Sequence, residues 1–340
     1  MDMAKQNWIL IYYQKIKDGS IVVGKWILLL MTYIVMGLEN KLFFYDNKKA
    51  NNAIEWIESH CFHTEGPLAP RPLKLELWEK AFIACIFGIV DKNGFRQFRE
   101  VLLVVARKNG KSLLAAAIEK YIWQVDGGFG AKVYNVAPKL DQANIIYSNV
   151  WMMTTLDPEY QALKLALSER DAHNKKVKDD SELPRLRQSD LYIPATNATV
   201  KKVAFNYKSS DGYNPSAVTA DEIAAWRGDA GLKTYEVFKS GMGARPEPIL
   251  LSCTTSGYEN DGIFDEQNLT DLLFPYLIAI LLFFSVGRVV VCGYSAGLIE
   301  MSKSITAIAT PWPGMPVKHE EKSAEGGEEC IGTCVCVLSR

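Results

Sequence analysis

The sequence predicts an α/β fold: a doubly wound, mostly parallel sheet preceded by an N-terminal helical segment. Three observations carry this. Short continuous apolar runs at 101–106, 131–137, 216–221 and 248–254 read as strands buried on both faces. Helical stretches at 111–124, 139–153 and 232–241 lie between several of them, the pattern of parallel strands joined by crossover helices. The composition, 48% hydrophobic and 23% charged over 340 residues, is that of a chain able to build a real core. With 38 Lys and Arg against 39 Asp and Glu, the net charge of -1 excludes a globally basic nucleic-acid coat, though not a local basic stripe.

In chain order, Trp8, Ile9, Tyr12, Tyr13 and Ile16 fall on one helical face. The 13 uncharged residues from Trp26 to Leu38 are too few to span a bilayer and predict a buried helix, and Ala53, Ile54 and Ile57 predict another. Gly66, Pro67, Pro70 and Pro72 then break the chain, so residues 1–70 form an N-terminal helical segment. Leu75, Leu77, Trp78, Phe82 and Ile86 give a helical face that leads into the first strand, Val101 to Val105. Strand candidates at 190–195 and 199–205 read as a hairpin added to the sheet, which places the α/β domain at 71–267.

The loop after Val105 reads Ala-Arg-Lys-Asn-Gly-Lys-Ser (106–112) and runs into the helical LLAAAIEKYIW. A strand, a tight loop ending Gly-Lys-Ser and a helix make a phosphate cradle. Backbone N–H groups and the helix N-terminus face the anion, Lys111 reaches the outer phosphates of ATP, Ser112 ligates Mg²⁺, and Gly110 allows close backbone approach. Val105 stands where the usual first glycine of this motif would be. About 110 residues on, Ala217-Val-Thr-Ala220 ends in Asp221-Glu222, at a strand tip where open α/β sheets bind ligands. Asp221 there would hold Mg²⁺ through water, and Glu222 would orient and deprotonate the water attacking the γ-phosphate. The competing reading is a solvated helix N-terminus, where Asp-Glu is also favourable. Thr254, Thr255 and Ser256, after the strand 248–254, either sense the γ-phosphate or cap a turn.

Taken together, NWILIYYQKIKDGSIVVGKW, EGPLAP with LKLELWEKAF, FREVLLVVARKNGKS, VYNVAPKLDQA, SSDGYNPSAVTADEIAAW and ILLSCTTSGYENDGIFDEQ resemble the large terminase subunit of tailed bacteriophages over residues 7 to about 267. The resemblance implies a P-loop ATPase, using ATP and Mg²⁺, that pumps double-stranded viral DNA into a procapsid. Its implied partners are a small terminase subunit and the portal, and it would work as a homo-oligomeric ring in the cytoplasm of a bacterial host. It further implies that Arg107 and Lys108, with Asn109, form the variant phosphate loop and that Arg107 is a cis arginine finger. Trp78 and Glu79 stand where the family places an adenine-gripping Trp-Gln pair; a carboxylate accepts from the adenine amino group but does not donate as an amide does. Thr254 to Gly257 match the family's coupling segment. Two alternatives belong beside this reading: another nucleic-acid motor of helicase type, or an inactive prophage remnant.

After Gln267 only 73 residues follow, fewer than the family's nuclease domain needs, and their acidic residues lack the spacing of a two-metal site. The expectation is an ATPase without endonuclease activity and, over 268–340, an atypical apolar and Cys/Glu-rich tail. Leu272 to Gly287 has 16 uncharged residues, near the lower limit for a membrane span and interrupted by Pro275. The seven Cys suggest no disulfide framework and favour a reducing compartment. His60, Cys61 and His63 lack partners at zinc-site spacing and read as a helix end. Lys164 to Lys208 carries 10 Lys and Arg against 6 Asp and Glu, a DNA-contacting stripe or a solvated face.

Overall fold

The computed structural model describes residues 6–173, 182–204, 213–226, 228–255 and 279–282. Three helices open the chain: α1 (Trp8–Lys17), α2 (Lys25–Glu39) and α3 (Asn47–His60). Asn7 and Asp46 accept from Leu10 N and Lys49 N at 3.1 and 2.9 Å and start α1 and α3, a standard way to satisfy free N–H groups at a helix end. Ile27, Leu30, Met31 and Ile34 of α2 are buried, as the short apolar run predicts. The break at Gly66–Pro72 is a turn, closed by a bridge between Phe62 and Pro72. Helix α4 (Leu77–Gly88) is almost wholly buried. It packs on α1 and α3, and a single hydrophobic core runs from Ile9 of α1 to the sheet interior at Leu251. The N-terminal helices and the sheet therefore share their apolar contacts.

The main sheet has eight strands in the order β10-β3-β9-β8-β4-β7-β6-β5. These are β3 (Glu100–Val105), β4 (Lys132–Ala137), β5 (Arg185–Leu186), β6 (Asp190–Ile193), β7 (Ala198–Ala204), β8 (Ala217–Asp221), β9 (Ile249–Thr254) and β10 (Ala279–Leu282). Pairing is parallel from β10 to β7; β6 and β5 are antiparallel and form the expected hairpin extension. Every residue of β3, β8 and β9 is buried, which is why these strands read as unbroken apolar runs. A two-stranded ribbon, β1 (Phe44–Tyr45) with β2 (Ile89–Val90), stands apart.

The crossovers are α5 (Lys111–Tyr121), α6 (Leu140–Leu156) with α7 (Pro158–His173), and α8 (Gly228–Gly241). Helix α5 passes into a π-helical turn over Ile122–Asp126, where the sequence predicts plain α-helix, and α8 begins four residues earlier than predicted. Part of the apolar stretch 272–287 is an edge strand: β10 runs parallel to β3 with Ala279 opposite Leu102 and Leu282 opposite Val105. The rest of that stretch and of the tail lies outside the described residues, among which no helix is long and apolar enough to cross a membrane. Strands β3 and β8 are separated by β9 alone, so the loop after Val105, the carboxylates at the end of β8 and the threonines at the end of β9 all meet at one C-terminal edge of the sheet.

Candidate active site

The loop after β3 is shaped by two left-handed residues, Lys108 at φ +67° and Gly110 at φ +77°. A Cβ at Gly110 would meet nothing within 4 Å, so glycine serves this position through its backbone angle and not through lack of bulk. Lys108 holds the same region with a side chain, at a cost of about 1 kcal/mol. Asn109 Nδ2 donates to Ala106 O at 3.2 Å across the loop. Helix α5 makes its first backbone bond from Leu114 N to Gly110 O at 2.8 Å, so the N–H groups of Lys111, Ser112 and Leu113 have no helical acceptor. Free N–H groups at a helix N-terminus suit an anion. Val105, at the place of the missing first glycine, is the buried last residue of β3.

Strand β8 delivers Asp221 and Glu222 opposite this loop. Lys111 Nζ lies 2.6 Å from Asp221 Oδ1 and 3.3 Å from Glu222 Oε1. Burial disfavours the Lys111 ammonium, yet Asp221 and Glu222 outweigh it and hold its pKa above the ordinary lysine value. The two carboxylates differ sharply in setting: the Asp221 side chain is 5% exposed and that of Glu222 33%. Glu222 sits at φ +52°, the left-handed region, at the start of a 3₁₀ turn over Ile223–Ala225. Its side chain caps no N–H of that turn, and α8 begins only at Gly228, so the helix-N-terminus reading of Asp-Glu fails here. The strained turn aims Glu222 at the site instead.

Sequence reasoning missed what holds this corner. Trp226, 1% exposed, donates its indole N–H to Asp221 O at 2.8 Å. Thr254 Oγ1 accepts from Ala224 N at 3.2 Å and donates to Thr255 O at 2.8 Å, tying the end of β9 to the turn after Glu222. Thr255 Oγ1 faces Glu222 Oε2 at 3.5 Å. Two of the three predicted coupling residues thus touch the carboxylate turn; Ser256 lies outside the described residues. Beneath Lys111, Cys253 is fully buried and burial pushes its thiol far up, which leaves it an inert packing residue.

Arg107 and Lys108 are exposed at the rim of the loop, and Ser112 is half-buried on the first turn of α5. Trp78 and Glu79 lie on the first turn of α4. Trp78 is 8% exposed, in the core, and Glu79 Oε2 accepts from Glu76 N at 2.8 Å. Burial raises the Glu79 carboxyl to about 7, opposed by that hydrogen bond and reinforced by Glu76 and Glu58. Among the described residues no hydrogen bond or ion pair joins either residue to the phosphate loop. The Ser112 hydroxyl and the buried Asp221 carboxylate are hard oxygen donors of the kind that suit Mg²⁺.

Two other expectations find their places. His60 Nδ1 contacts Asp157 Oδ2 at 3.1 Å and Cys61 is buried at the end of α3. In the basic stripe, Lys202 donates to Asn144 at 2.6 Å and Arg187 lies 3.6 Å from Asp190, while Lys164 and Lys201 are exposed.

Residues 77–270 match the family described as the terminase large subunit, ATPase domain. The chain is 22% identical over 259 residues to the terminase large subunit of Lactococcus phage p2, covering 74% of this chain and 43% of that protein. It is 23% identical over 208 residues to the large subunit of Enterobacteria phage HK97, covering 61% of this chain and 36% of the other. The crystal structure of the HK97 bacteriophage large terminase superimposes with a TM-score of 0.51 at 21% identity, over 66% of this chain and 41% of that one, a likeness of fold. The chain spans about two fifths of the length of the curated relatives it matches.

Proposed function

Because this chain belongs to the terminase large subunit family, matched over its ATPase domain, we propose that it hydrolyses ATP to drive double-stranded viral DNA into a procapsid. The observation that supports this most directly is Lys111 poised between a phosphate cradle and the carboxylates Asp221 and Glu222, at 2.6 and 3.3 Å. In this reading the triphosphate sits on the free N–H groups at the start of α5 and draws the Lys111 ammonium from Asp221 onto the outer phosphates. Ser112, and Asp221 through water, would hold Mg²⁺, which would supply positive charge against the phosphates. Glu222, the more exposed carboxylate, accepts a proton from the attacking water, and its left-handed turn keeps it in line with the loop. Arg107, exposed on the same loop, reaches back in cis to stabilise charge on the γ-phosphate.

Thr254 and Thr255 give hydrolysis a way out of the site. Both hydroxyls touch the turn that carries Glu222, so a shift of that carboxylate pulls on the end of β9. The basic groups Lys164 and Lys201, on α7 and β7, are available for phosphate backbone contacts. Trp78 and Glu79 are assigned to the adenine side, and the small subunit, the portal and a ring of copies are the partners this role requires. The test is ATP turnover by the 340-residue chain in Mg²⁺, with and without linear double-stranded DNA. Turnover that DNA stimulates supports the motor; turnover indifferent to DNA leaves an ATPase and removes the translocation reading. No turnover at all, from folded protein, removes both.

A further inference from the structure

Glu119 is a carboxylic acid in the wrong place for an ordinary helix face. It lies on α5, eight residues beyond Lys111, and is 1% exposed. The face of the sheet it meets is set by register: Asn135 of β4 stands opposite Thr219 of β8, so both side chains project the same way, and Asp221 lies two residues further along the same face. Asn135 is also 1% exposed. Both oxygens of Glu119 and both amide atoms of Asn135 are sealed from solvent without a direct hydrogen bond, although the Asn135 and Thr219 side chains face the carboxyl. Four unpartnered polar atoms side by side in the core are a poor way to gain stability, since an apolar residue would pack there without them. What such a group offers is geometry: its oxygens find polar partners only where Asn135 and Thr219 face them, which singles out one register of helix on sheet.

That register matters because of what the two elements carry. Helix α5 bears Lys111 and Ser112 at its N-terminus, and β8 bears Asp221 two residues beyond Thr219. We propose that Glu119 is a positioning residue for nucleotide hydrolysis, its buried carboxyl pinning α5 to Asn135 and Thr219 and thereby fixing Lys111 and Ser112 opposite Asp221. Electrostatics agrees. Burial pushes the Glu119 carboxyl up to about 8, with Asp221 adding to the rise and Thr219 and Asn135 opposing it. The titratable groups facing it are Asp221 on β8 and the Cys253 thiol on β9. Burial thus favours the neutral carboxyl, which is able to donate as well as accept between an amide and a hydroxyl.

The inference rests on the ATPase reading and is tested by two measurements on the 340-residue chain. Glu119→Gln keeps a neutral donor and acceptor of the same shape, whereas Glu119→Leu keeps the volume and removes both. Glu119→Gln is expected within about threefold of wild-type kcat, and Glu119→Leu about tenfold or more below it with KM for ATP little changed, as loss of alignment predicts. The second readout is thermal unfolding against pH. A carboxyl whose folded pKa lies above its unfolded one contributes stability that is present below the unfolded value and lost as pH rises through about 8. Glu119→Gln lacks that loss, so its melting temperature should gain on wild type steadily between about pH 5 and about pH 8. An active wild type with Glu119→Leu equally active, or Glu119→Gln as impaired as Glu119→Leu, or a melting difference flat in pH, overturns the proposal alone. A folded wild type without ATP turnover overturns the functional reading and this inference with it.

Discussion

Trp226 donates its indole N–H to the carbonyl oxygen of Asp221 across 2.8 Å, and that one bond closes the chain back on the residue that meets Lys111. The ring is 1% exposed and lies edge-on to Tyr235 at 6.5 Å, so the corner after β8 is packed as well as bonded. The left-handed Glu222 sits inside the loop this bond closes. Removing the bond should therefore be felt in catalysis before it is felt in folding.

Trp226→Phe keeps most of the packing and deletes the donor to Asp221 O; about 1–3 kcal/mol of stability should be lost. Its kcat for ATP should fall by more than that stability change explains, because Glu222 loses its frame. Trp226→Ala, which also opens a cavity, should cost about 3–5 kcal/mol. Urea unfolding alongside ATPase assays separates the two effects. If Trp226→Phe melts earlier yet turns over ATP at the wild-type rate, the indole is only a core residue.

Lys111→Ala should abolish ATP hydrolysis and much of ATP binding, since the ammonium is the charge that meets the outer phosphates. Equilibrium binding of a fluorescent ATP analogue reads the second part independently of turnover. Retained wild-type turnover would remove the phosphate-loop assignment altogether.

The two carboxylates should part company. Glu222→Gln keeps the shape but takes no proton from water, so hydrolysis should drop by roughly two orders of magnitude or more while Mg-ATP binding stays near normal. Asp221→Ala should instead shift the Mg²⁺ concentration needed for half-maximal activity upward. It also strands Lys111, whose 9% exposed side chain would keep its charge without its closest partner. Identical behaviour of the two variants, with binding lost in both, contradicts the division of roles.

How far these features could be read from the sequence depended on how each residue is buried. Strands β3, β4, β8 and β9 are covered on both faces, so their apolar runs were visible without any partner in view. Helix α7 was not visible: its Leu165 is 61% exposed and its apolar stripe is weak, so no face stands out against the polar background. The run around Ala279–Leu282 suits a strand and a helix equally, because periodicity vanishes when every residue is apolar. The Gly-Lys-Ser loop and Asp221-Glu222 were legible as chemistry from local residue types. Their supports were not. Trp226 reaches Asp221 O only because a 3₁₀ turn folds the chain back, and the contact between Thr254 and Ala224 joins residues 30 apart. One signal was available for Glu119, a carboxylate on the otherwise apolar face of LLAAAIEKYIW, eight residues after the lysine.

A second buried lysine makes a contrasting prediction about the scaffold. Lys120 is 0% exposed, and its Nζ donates to Asp157 Oδ2 and to His60 O, both at 2.5 Å, while lying 5.2 Å from the Trp56 ring centroid. Asp157 in turn accepts from Glu159 N at 2.9 Å at the start of α7. The group thus bolts α3 and α7 to α5, the helix that begins at Lys111. Asp157→Asn preserves an acceptor for Glu159 N but removes the charge that balances Lys120, and a buried ion pair broken on one side costs about 3–5 kcal/mol. Lys120→Met fills the same space without an ammonium and should make Asp157→Asn far less damaging in the double variant, a coupling of about 1–3 kcal/mol in a double-mutant cycle. ATP affinity of the folded fraction should stay within about twofold of wild type, because neither residue touches the nucleotide loop. Denaturant midpoints for the four proteins decide it: strictly additive losses would mean that Lys120 and Asp157 stabilise the helices separately, through packing and capping, and that no buried pair joins them.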